Sequence, residues 1–306
     1  FKNYKRKEDI ENYVINNVWI GDLIYDTFMK KYNVPTIEIN MKGFREFFEE
    51  CILNFLFWED YIKRTDISGI AVCHALYTFA IPLRIAIKKK IPAYAVSDFK
   101  LFKIDNTTLS FDRKTNGVEF QHNYYKKIFN KFSSKEQKKY LLQGKNFLKN
   151  FLSGKQVYYY MQNRKKKSNK QFLKKNNKKK IVIYAHSFFD SPHYRGNFLF
   201  PDFYEWLIFL AKIAKKTNLE WYLKPHPNYE DDNINEINNF VKKYPVIKIL
   251  DVKATNKDLI KQGMKYALTI YGSCAAELPY YGIKVINADP KNPHSNYKFS
   301  LNPKNR

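Results

Sequence analysis

The sequence is poor in the residues that mark several large protein classes. It has three cysteines among 306 residues, Cys51, Cys73 and Cys274, and they lie far apart in apolar stretches. Such an odd, scattered set argues against a disulfide framework or a zinc site and is typical of reduced thiols in the cytoplasm. No apolar run approaches the ~20 residues of a membrane span, and no signal peptide is visible. The sequence therefore predicts a cytoplasmic protein.

Glycine is also scarce, with 10 residues, and none of them belongs to a familiar catalytic motif. The chain contains no Walker loop, no G-x-G-x-x-G, no G-x-S-x-G and no C-x-x-C. These absences argue against a P-loop NTPase, a common dinucleotide-binding enzyme, an α/β-hydrolase and a thiol redox protein.

Acidic residues are few relative to basic ones. The chain has 54 Lys and Arg against 29 Asp and Glu, which gives a formal net charge of +25. This charge predicts an anionic partner, whether a phosphorylated donor, an acidic glycan or an anionic lipid. Residues 164–180 hold ten basic residues among seventeen and no acid, and they are predicted as a solvated linker. Because aromatic residues are sparse there, the stretch does not resemble a single-strand-binding surface, and no nucleic acid is predicted as partner.

Apolar residues are plentiful at 44%, enough for two domains with cores of their own. In the first half, their spacing predicts helices over 43–64 and 76–90 and strands over 69–74 and 93–96. This β–α–β order is typical of a parallel sheet. The further elements predicted there are a helix at 8–18, a strand-to-helix turn at Asp22, a strand at 36–40, a hairpin or extended excursion at 98–121 and an amphipathic helix at 134–152.

The second half alternates strand and helix in five steps within about 110 residues, the fifth step being a strand alone. Strands are predicted at 180–186, 219–225, 246–250, 266–272 and 284–288, and helices at 202–216, 233–243, 258–262 and 274–281. Five such steps predict a Rossmann-like domain. No closing helices follow the fifth strand, so we expect the chain to be truncated at one or both ends.

The predicted fold class is therefore α/β, with two Rossmann-like domains that face a cleft. Residues 1–163 are predicted as an acceptor-side domain and residues 164–180 as the basic linker. Residues 181–306 are predicted to bind a nucleotide-linked donor. Two successive βα domains of this kind are the architecture of GT-B glycosyltransferases, an analogy at the level of the fold.

Two predicted strand ends carry residues suited to a phosphate. Lys224-Pro225-His226-Pro227 ends one strand, and its prolines stiffen the backbone around a His that can donate to a phosphate oxygen. Gly272 and Ser273 end another strand, where the small residue permits close approach of a ligand and the hydroxyl precedes a helix. Glu277, one turn on, would accept ribose hydroxyls. The alternatives are a surface turn for the first stretch, and an ordinary N-cap with a solvent-facing Glu277 for the second.

The loop that follows residue 185 and the predicted strand ends of the first half supply further candidates. His186, Asp190, His193 and Arg195 are predicted to contact donor or acceptor; the spacing HxxxDxxH also allows a metal site or a plain surface loop, but no metal is predicted. Asp22 and His74 are candidate bases for an acceptor hydroxyl. Their alternatives are a helix cap and a core histidine. The aromatic stripe over 198–209 is predicted as core, with a membrane-interface face as the alternative.

Several long strings resemble the bacterial capsule and surface polysaccharide biosynthesis glycosyltransferases. The strings are WIGDLIYD (19–26), CHALYTFAIPLRIAI (73–87), HSFFDSPHYRGNFLFPDFYEW (186–206), KPHPN (224–228) and GSCAAELPYYGIKVINADPKNPH (272–294). The His-Pro dipeptide followed by a strand-end Ser also resembles polysialyltransferases, capsular Kdo transferases and CDP-glycerol polymerases.

The resemblance implies a nucleotide-sugar-dependent transferase without a required cofactor, acting at the inner membrane face. In such relatives the His and Ser contact the phosphate of a CMP- or CDP-linked donor, a role that falls on His226 and Ser273. A UDP-linked donor is the third candidate. The implied partners are the nucleotide-sugar donor, a glycan or lipid-linked acceptor and an anionic membrane surface. Transfer of a CDP-linked polyol phosphate, and a non-catalytic basic nucleic-acid- or membrane-binding protein, are the alternatives.

Overall fold

Two compact units make up the chain, and they interleave along the sequence. A computed structural model describes residues 4–73, 75–97, 100–104, 126–153, 155, 170–195, 198–226, 231–290, 292, 295 and 297–306. The first unit comprises Phe1–Phe120 and Phe188–Trp206, and the second comprises Gln121–Ser187 and Leu207–Arg306. The units differ from the predicted domains at two places, because residues 121–163 belong to the second unit and residues 188–206 to the first.

The described part of the first unit contains four α-helices before residue 100. They are α1 (Lys7–Glu11), α2 (Gly21–Tyr32), α3 (Phe44–Arg64) and α4 (Ile81–Lys88), the last preceded by a 3₁₀ turn at Thr78–Ala80. The predictions over 43–64 and 76–90 are thus confirmed. Helix α3 forms because one face repeats apolar residues, among them Phe44, Phe48 and Phe55, all buried in the core of this unit.

Two other predictions for the first unit are wrong. The helix expected over 8–18 ends at Glu11 and gives way to a hairpin of β1 (Val14–Ile15) and β2 (Val18–Trp19). The hairpin turn consists of Asn16 and Asn17, both with positive φ, which suits a tight turn between antiparallel strands. Residues 36–40 form turns and irregular chain instead of a strand.

The sheet of the first unit has three strands in the order β3-β4-β5. Strand β3 (Ile70–Val72) is parallel to β4 (Ala93–Ser97), which confirms the predicted β–α–β unit around α4. Strand β5 (Lys100–Ile104) is antiparallel to β4, as the hairpin alternative for 98–121 requires. Residues 98–99 and 105–121 lie outside the described part of the chain.

The second unit contains a five-stranded sheet with all strands parallel, which confirms the α/β class and the five predicted strands. The strands are β6 (Lys180–Tyr184), β7 (Glu220–Lys224), β8 (Ile247–Ile249), β9 (Met264–Thr269) and β10 (Lys284–Asn287). Their order is β10-β9-β6-β7-β8. The helices are α5 (Ser134–Ser153), α6 (Phe203–Ala214), α7 (Asp231–Lys243), α8 (Asn256–Lys261) and α9 (Cys274–Glu277). Residues 126–131 are helical as well. The boundary between the two units lies within α6, between Trp206 and Leu207.

Part of the basic stretch packs into the second unit. Leu173 is buried in the same core as Val182 and Ala267, which belong to β6 and β9. The backbone amides of Phe172 and Leu173 donate to Gln262 Oε1 at 2.7 and 2.9 Å. Residues 170–179 are therefore held against the sheet and do not run free as a solvated linker, whereas residues 164–169 lie outside the described part.

The aromatic stripe over 198–209 belongs to the interior, as predicted. Phe198, Phe200, Phe203 and Trp206 are all buried. Within the described ranges, no helix combines the length and the apolar character that a membrane crossing requires.

Candidate functional site

The strand order creates a topological switch point at the centre of the second sheet. From β6 the chain proceeds to β7 and β8 on one side, and it then returns to β9 and β10 on the other side of β6. The connections that leave β6 and β9 therefore diverge, the topology that in open α/β sheets gives a crevice beyond the carboxyl ends of the two strands. In open α/β sheets this is the place where ligands bind.

Polar and small residues from both central strands meet at this crevice. His186 follows β6, and its Nε2 lies 3.4 Å from Oγ1 of Thr269, the last residue of β9. The His186 ring packs on Tyr271 with ring centroids 4.7 Å apart. The Gly272 amide donates to Thr269 Oγ1 at 3.3 Å, so the loop after β9 folds back over the strand end. Neither Thr269 nor Tyr271 was predicted from the sequence.

Gly272 is held so closely that a side chain does not fit. An added Cβ would lie 2.9 Å from Thr269 Oγ1 and 3.7 Å from His186 Nε2.

We expect Gly272→Ala to destabilise the protein by about 1–3 kcal/mol, because the buried Thr269 hydroxyl has to move. Urea unfolding would measure the change. Gly144→Ala is the matched control: nothing lies within 4 Å of a Cβ there, so this mid-helix change should stabilise by up to about 1 kcal/mol. A neutral Gly272→Ala would contradict the tight packing.

Ser273 does not cap the helix that follows it. Its hydroxyl donates to Glu277 Oε1 at 2.9 Å, and it accepts no capping bond from the backbone. Glu277 is buried, so it does not face solvent. The predicted helix over 274–281 ends at Glu277 because Pro279 cannot continue it, and a 3₁₀ turn replaces the remainder. A four-residue helix contributes little dipole, so any anion held here depends on side chains.

Lys224, the last residue of β7, brings a buried cation to the same edge of the sheet. Burial lowers its pKa to about 8, while Cys274 and Asp251 partly offset that effect. Burial also raises the pKa of the Cys274 thiol to about 12, so it stays protonated. Among the residues that the structure describes, no side chain forms an ion pair or hydrogen bond with the Lys224 ammonium. Lys224 was predicted from the sequence as a donor-binding residue, but its burial was not predicted.

His226 lies two residues beyond β7 and is exposed, as is Ser273. Strands β7 and β9 flank β6 on its two sides, so their axes are separated by about 10 Å. The predicted residues Lys224, His226, Gly272, Ser273 and Glu277 therefore gather at one edge of one sheet. Pro227 lies outside the described residues.

The first unit uses Asp22 in a structural ion pair. Both carboxylate oxygens of Asp22 accept hydrogen bonds from the Arg84 guanidinium, each at 2.6 Å, and both side chains are buried. Arg84 also donates to the Trp19 carbonyl and lies over the Trp19 ring, with 4.8 Å from Cζ to the ring centroid. This arrangement joins α2 to α4. The other predicted base, His74, lies outside the described residues.

A second buried charge cluster surrounds His193. Its Nδ1 lies 2.5 Å from Asp26 Oδ1, and its Nε2 lies 3.1 Å from Glu11 Oε1, a close ion pair without the alignment of a good hydrogen bond. Although burial alone would lower it, the two carboxylates raise the pKa of His193 to about 10. Burial raises the pKa of Asp26 to about 6. His193 is therefore a charged structural residue that ties its loop to α1 and α2.

The other loop candidates are divided between the two units. His186 belongs to the second unit, whereas Asp190 and His193 belong to the first. Asp190 is exposed, and its carboxylate accepts from the Tyr77 hydroxyl at 3.4 Å. Arg195 is described only in its backbone, as the end of a 3₁₀ turn at Pro192–Arg195. Across the described ranges, no group of three or more His, Cys, Asp or Glu residues is arranged to hold a metal ion.

Comparisons with known proteins add no relative. No protein-family model matches the sequence, and a search of curated proteins gives no match.

Proposed function

We propose that the chain is a glycosyltransferase of capsular or other surface polysaccharide assembly, with the GT-B architecture. In this proposal the second unit binds the phosphate of a CMP-, CDP- or UDP-linked donor at the switch point between β6 and β9. The first unit serves the acceptor. The resemblance of five strings in the sequence to capsule glycosyltransferases supports the choice of sugar transfer, and its His-Pro and strand-end Ser favour a cytidine nucleotide.

The observation that carries the proposal is the buried ammonium of Lys224, at the end of β7 beside the switch point. A buried cation is costly unless a negative charge compensates it. Its pKa of about 8 leaves most of it charged at neutral pH. A donor phosphate at the crevice would supply the missing negative charge. The Lys224 charge therefore destabilises the ligand-free protein and favours the binding of an anionic ligand.

The neighbouring groups complete a phosphate site. His226 is exposed beside the crevice and can donate to a phosphate oxygen; the exposed Ser273 hydroxyl can do so by turning its proton from Glu277 Oε1 to the ligand. Gly272 permits close approach of the backbone. During transfer, negative charge accumulates on the leaving phosphate, and Lys224 and His226 would stabilise that charge from fixed positions. Because Asp22 is held by Arg84, the catalytic part of the proposal rests on these donor-side residues.

A nucleotide screen tests the proposal. CMP, CDP or UDP at about 100 times its Kd is expected to stabilise the protein by about 2.7 kcal/mol, seen as a rise in Tm. His226→Ala and Ser273→Ala should each remove most of that rise, since each deletes a phosphate donor. The control is Ser68→Ala, an exposed serine of the first unit that should leave the rise unchanged.

Two other outcomes distinguish the alternatives. If no nucleotide raises Tm while RNA affinity falls steeply with salt, the chain is a basic binding protein and the proposal is wrong. If CDP stabilises the protein and a CDP-linked polyol is converted to a product that retains phosphate, the transferred group is a polyol phosphate. Stabilisation together with formation of a new glycosidic bond on the acceptor and release of the free nucleotide from its sugar donor favours sugar transfer.

A further inference from the structure

Helix α5 is exposed along most of its length. Of its 20 residues, Phe151 alone is buried. Three large apolar side chains in its middle are open to solvent: Leu141 by 62%, Leu142 by 60% and Tyr140 by 40%. A helix of this length spans about 30 Å, so it presents an extended surface. Exposed apolar residues that cluster on one helix mark an interaction surface.

Apart from Leu142, which lies about 100° further round the helix than Leu141, the apolar residues of the middle of α5 lie on one side. Tyr140, Phe147 and Phe151 are spaced by seven and four residues and fall on one line of the helix. Leu141 and Leu148 form the next line, which widens the apolar face. Phe147 and Phe151 stack in parallel, with ring centroids 6.1 Å apart. The result is an amphipathic helix whose apolar face begins in the core at Phe151 and runs outward into solvent.

Lysines border this apolar face. Lys138, Lys145 and Lys149 lie within about 80° of Leu141 around the helix axis, so they flank one edge of the face. Residues 126–155 contain nine lysines and one acidic residue, Glu136. None of the three bordering lysines forms an ion pair with a described residue. The helix therefore combines exposed leucine and tyrosine with a dense, uncompensated positive edge.

We propose that α5 docks on the surface of an anionic lipid bilayer. A basic amphipathic helix lies in the interface with its apolar residues among the acyl-chain boundary and its lysines at the anionic headgroups. Nucleic acid would engage the lysines but leave Leu141 and Tyr140 in water. A bilayer satisfies both features at once. The inference does not depend on the donor site, so either can fail without the other.

Vesicle co-sedimentation tests the inference with two kinds of variant. The protein is expected to bind phosphatidylcholine vesicles that contain phosphatidylserine and to bind pure phosphatidylcholine far less. Replacing Lys138, Lys145 and Lys149 by Gln should lower the partition coefficient on the order of a hundredfold. Tyr140→Gln with Leu141→Gln should lower it at least about tenfold while leaving the charge unchanged. Both variants should keep the wild-type Tm, because all five positions are exposed.

The matched control removes the same charge elsewhere. Lys257, Lys265 and Lys284 are exposed lysines of the second unit, and replacing all three by Gln should reduce vesicle binding by less than about threefold. An equal loss in this control would overturn the assignment to α5. So would wild-type protein that ignores anionic vesicles, or α5 lysine variants that lose RNA binding while vesicle binding persists.

Discussion

Lys224→Met is expected to stabilise the ligand-free protein by about 1–3 kcal/mol and to abolish its stabilisation by nucleotides. The pKa of Lys224 falls from 10.5 in the unfolded chain to about 8 in the fold, so burying its charge opposes folding at neutral pH. Methionine has a similar length, fills the same space and carries no charge. Urea unfolding at pH 7, with and without CDP, measures both effects.

The pH dependence gives this prediction a second readout. Between pH 8 and 10.5 the unfolded protein binds more protons at Lys224 than the folded protein does, so this residue's contribution to stability rises with pH. The Met variant lacks that contribution, and its advantage over the wild type should shrink as pH rises through this window. Lys265→Met, at an exposed lysine, is the control and should change neither stability nor nucleotide binding. A Lys224→Met protein that is less stable yet still responds to CDP would refute the assigned role.

His193→Gln is expected to destabilise the protein by about 3–5 kcal/mol at pH 7. The substitution leaves the buried carboxylates of Asp26 and Glu11 without their shared cation, and an uncompensated buried charge is strongly unfavourable. Glutamine retains a hydrogen-bond donor, so the loss reports the charge. Chemical unfolding of both proteins measures the difference.

The same variant should flatten part of the stability profile at high pH. The pKa of His193 is about 10 in the fold and 6.5 in the unfolded chain, so its stabilisation is complete below pH 6.5 and is lost as pH rises through 10. The gap between wild type and His193→Gln should narrow by about 1.4 kcal/mol per pH unit within this window. Lys284→Gln, at an exposed lysine, is the control for stability and should lie within about 0.5 kcal/mol of the wild type. A pH-independent gap would contradict the charged state of His193.

The elements that the sequence predicted well are those with a strong local signal. Helix α3 and strand β6 repeat apolar residues with the periods of a buried helix face and a buried strand, so neighbours in sequence suffice to recognise them. The shortened α9 was also visible in principle, because Pro279 stands inside the helix that we expected over 274–281. The hairpin after α1 depends on the positive φ angles of Asn16 and Asn17. The apolar spacing of residues 8–18 also fits a helix, so it gave no sign of this turn.

The roles of charged residues were harder to predict because their partners are distant in sequence. Asp22 at the start of a helix resembles a cap or a base, and its partner Arg84 lies 62 residues away. His193 and Asp190 share a loop with His186, which suggested one site. The partner of His193, Asp26, lies 167 residues earlier in the chain. Short-range patterns were enough to identify the candidate phosphate-site residues. The burial of Lys224 could not be predicted in this way, because it depends on residues that pack over the sheet from distant parts of the sequence.

The interleaving of the units has a consequence for synthesis on the ribosome. The first unit includes residues 188–206, and two of its buried contacts need them: Tyr25 to Asp202 and Asp26 to His193. When residues 1–120 emerge, Asp26 has no cation and the Tyr25 hydroxyl has no acceptor from this segment. The amino-terminal unit therefore cannot reach its final form before residues 188–206 have been translated, and by then the whole of strand β6 of the other unit has been synthesised. Synthesis from the amino terminus therefore does not complete the first unit before the second unit begins to emerge. Until residues 188–206 are made, the incomplete first unit exposes surface through which it can associate with other chains.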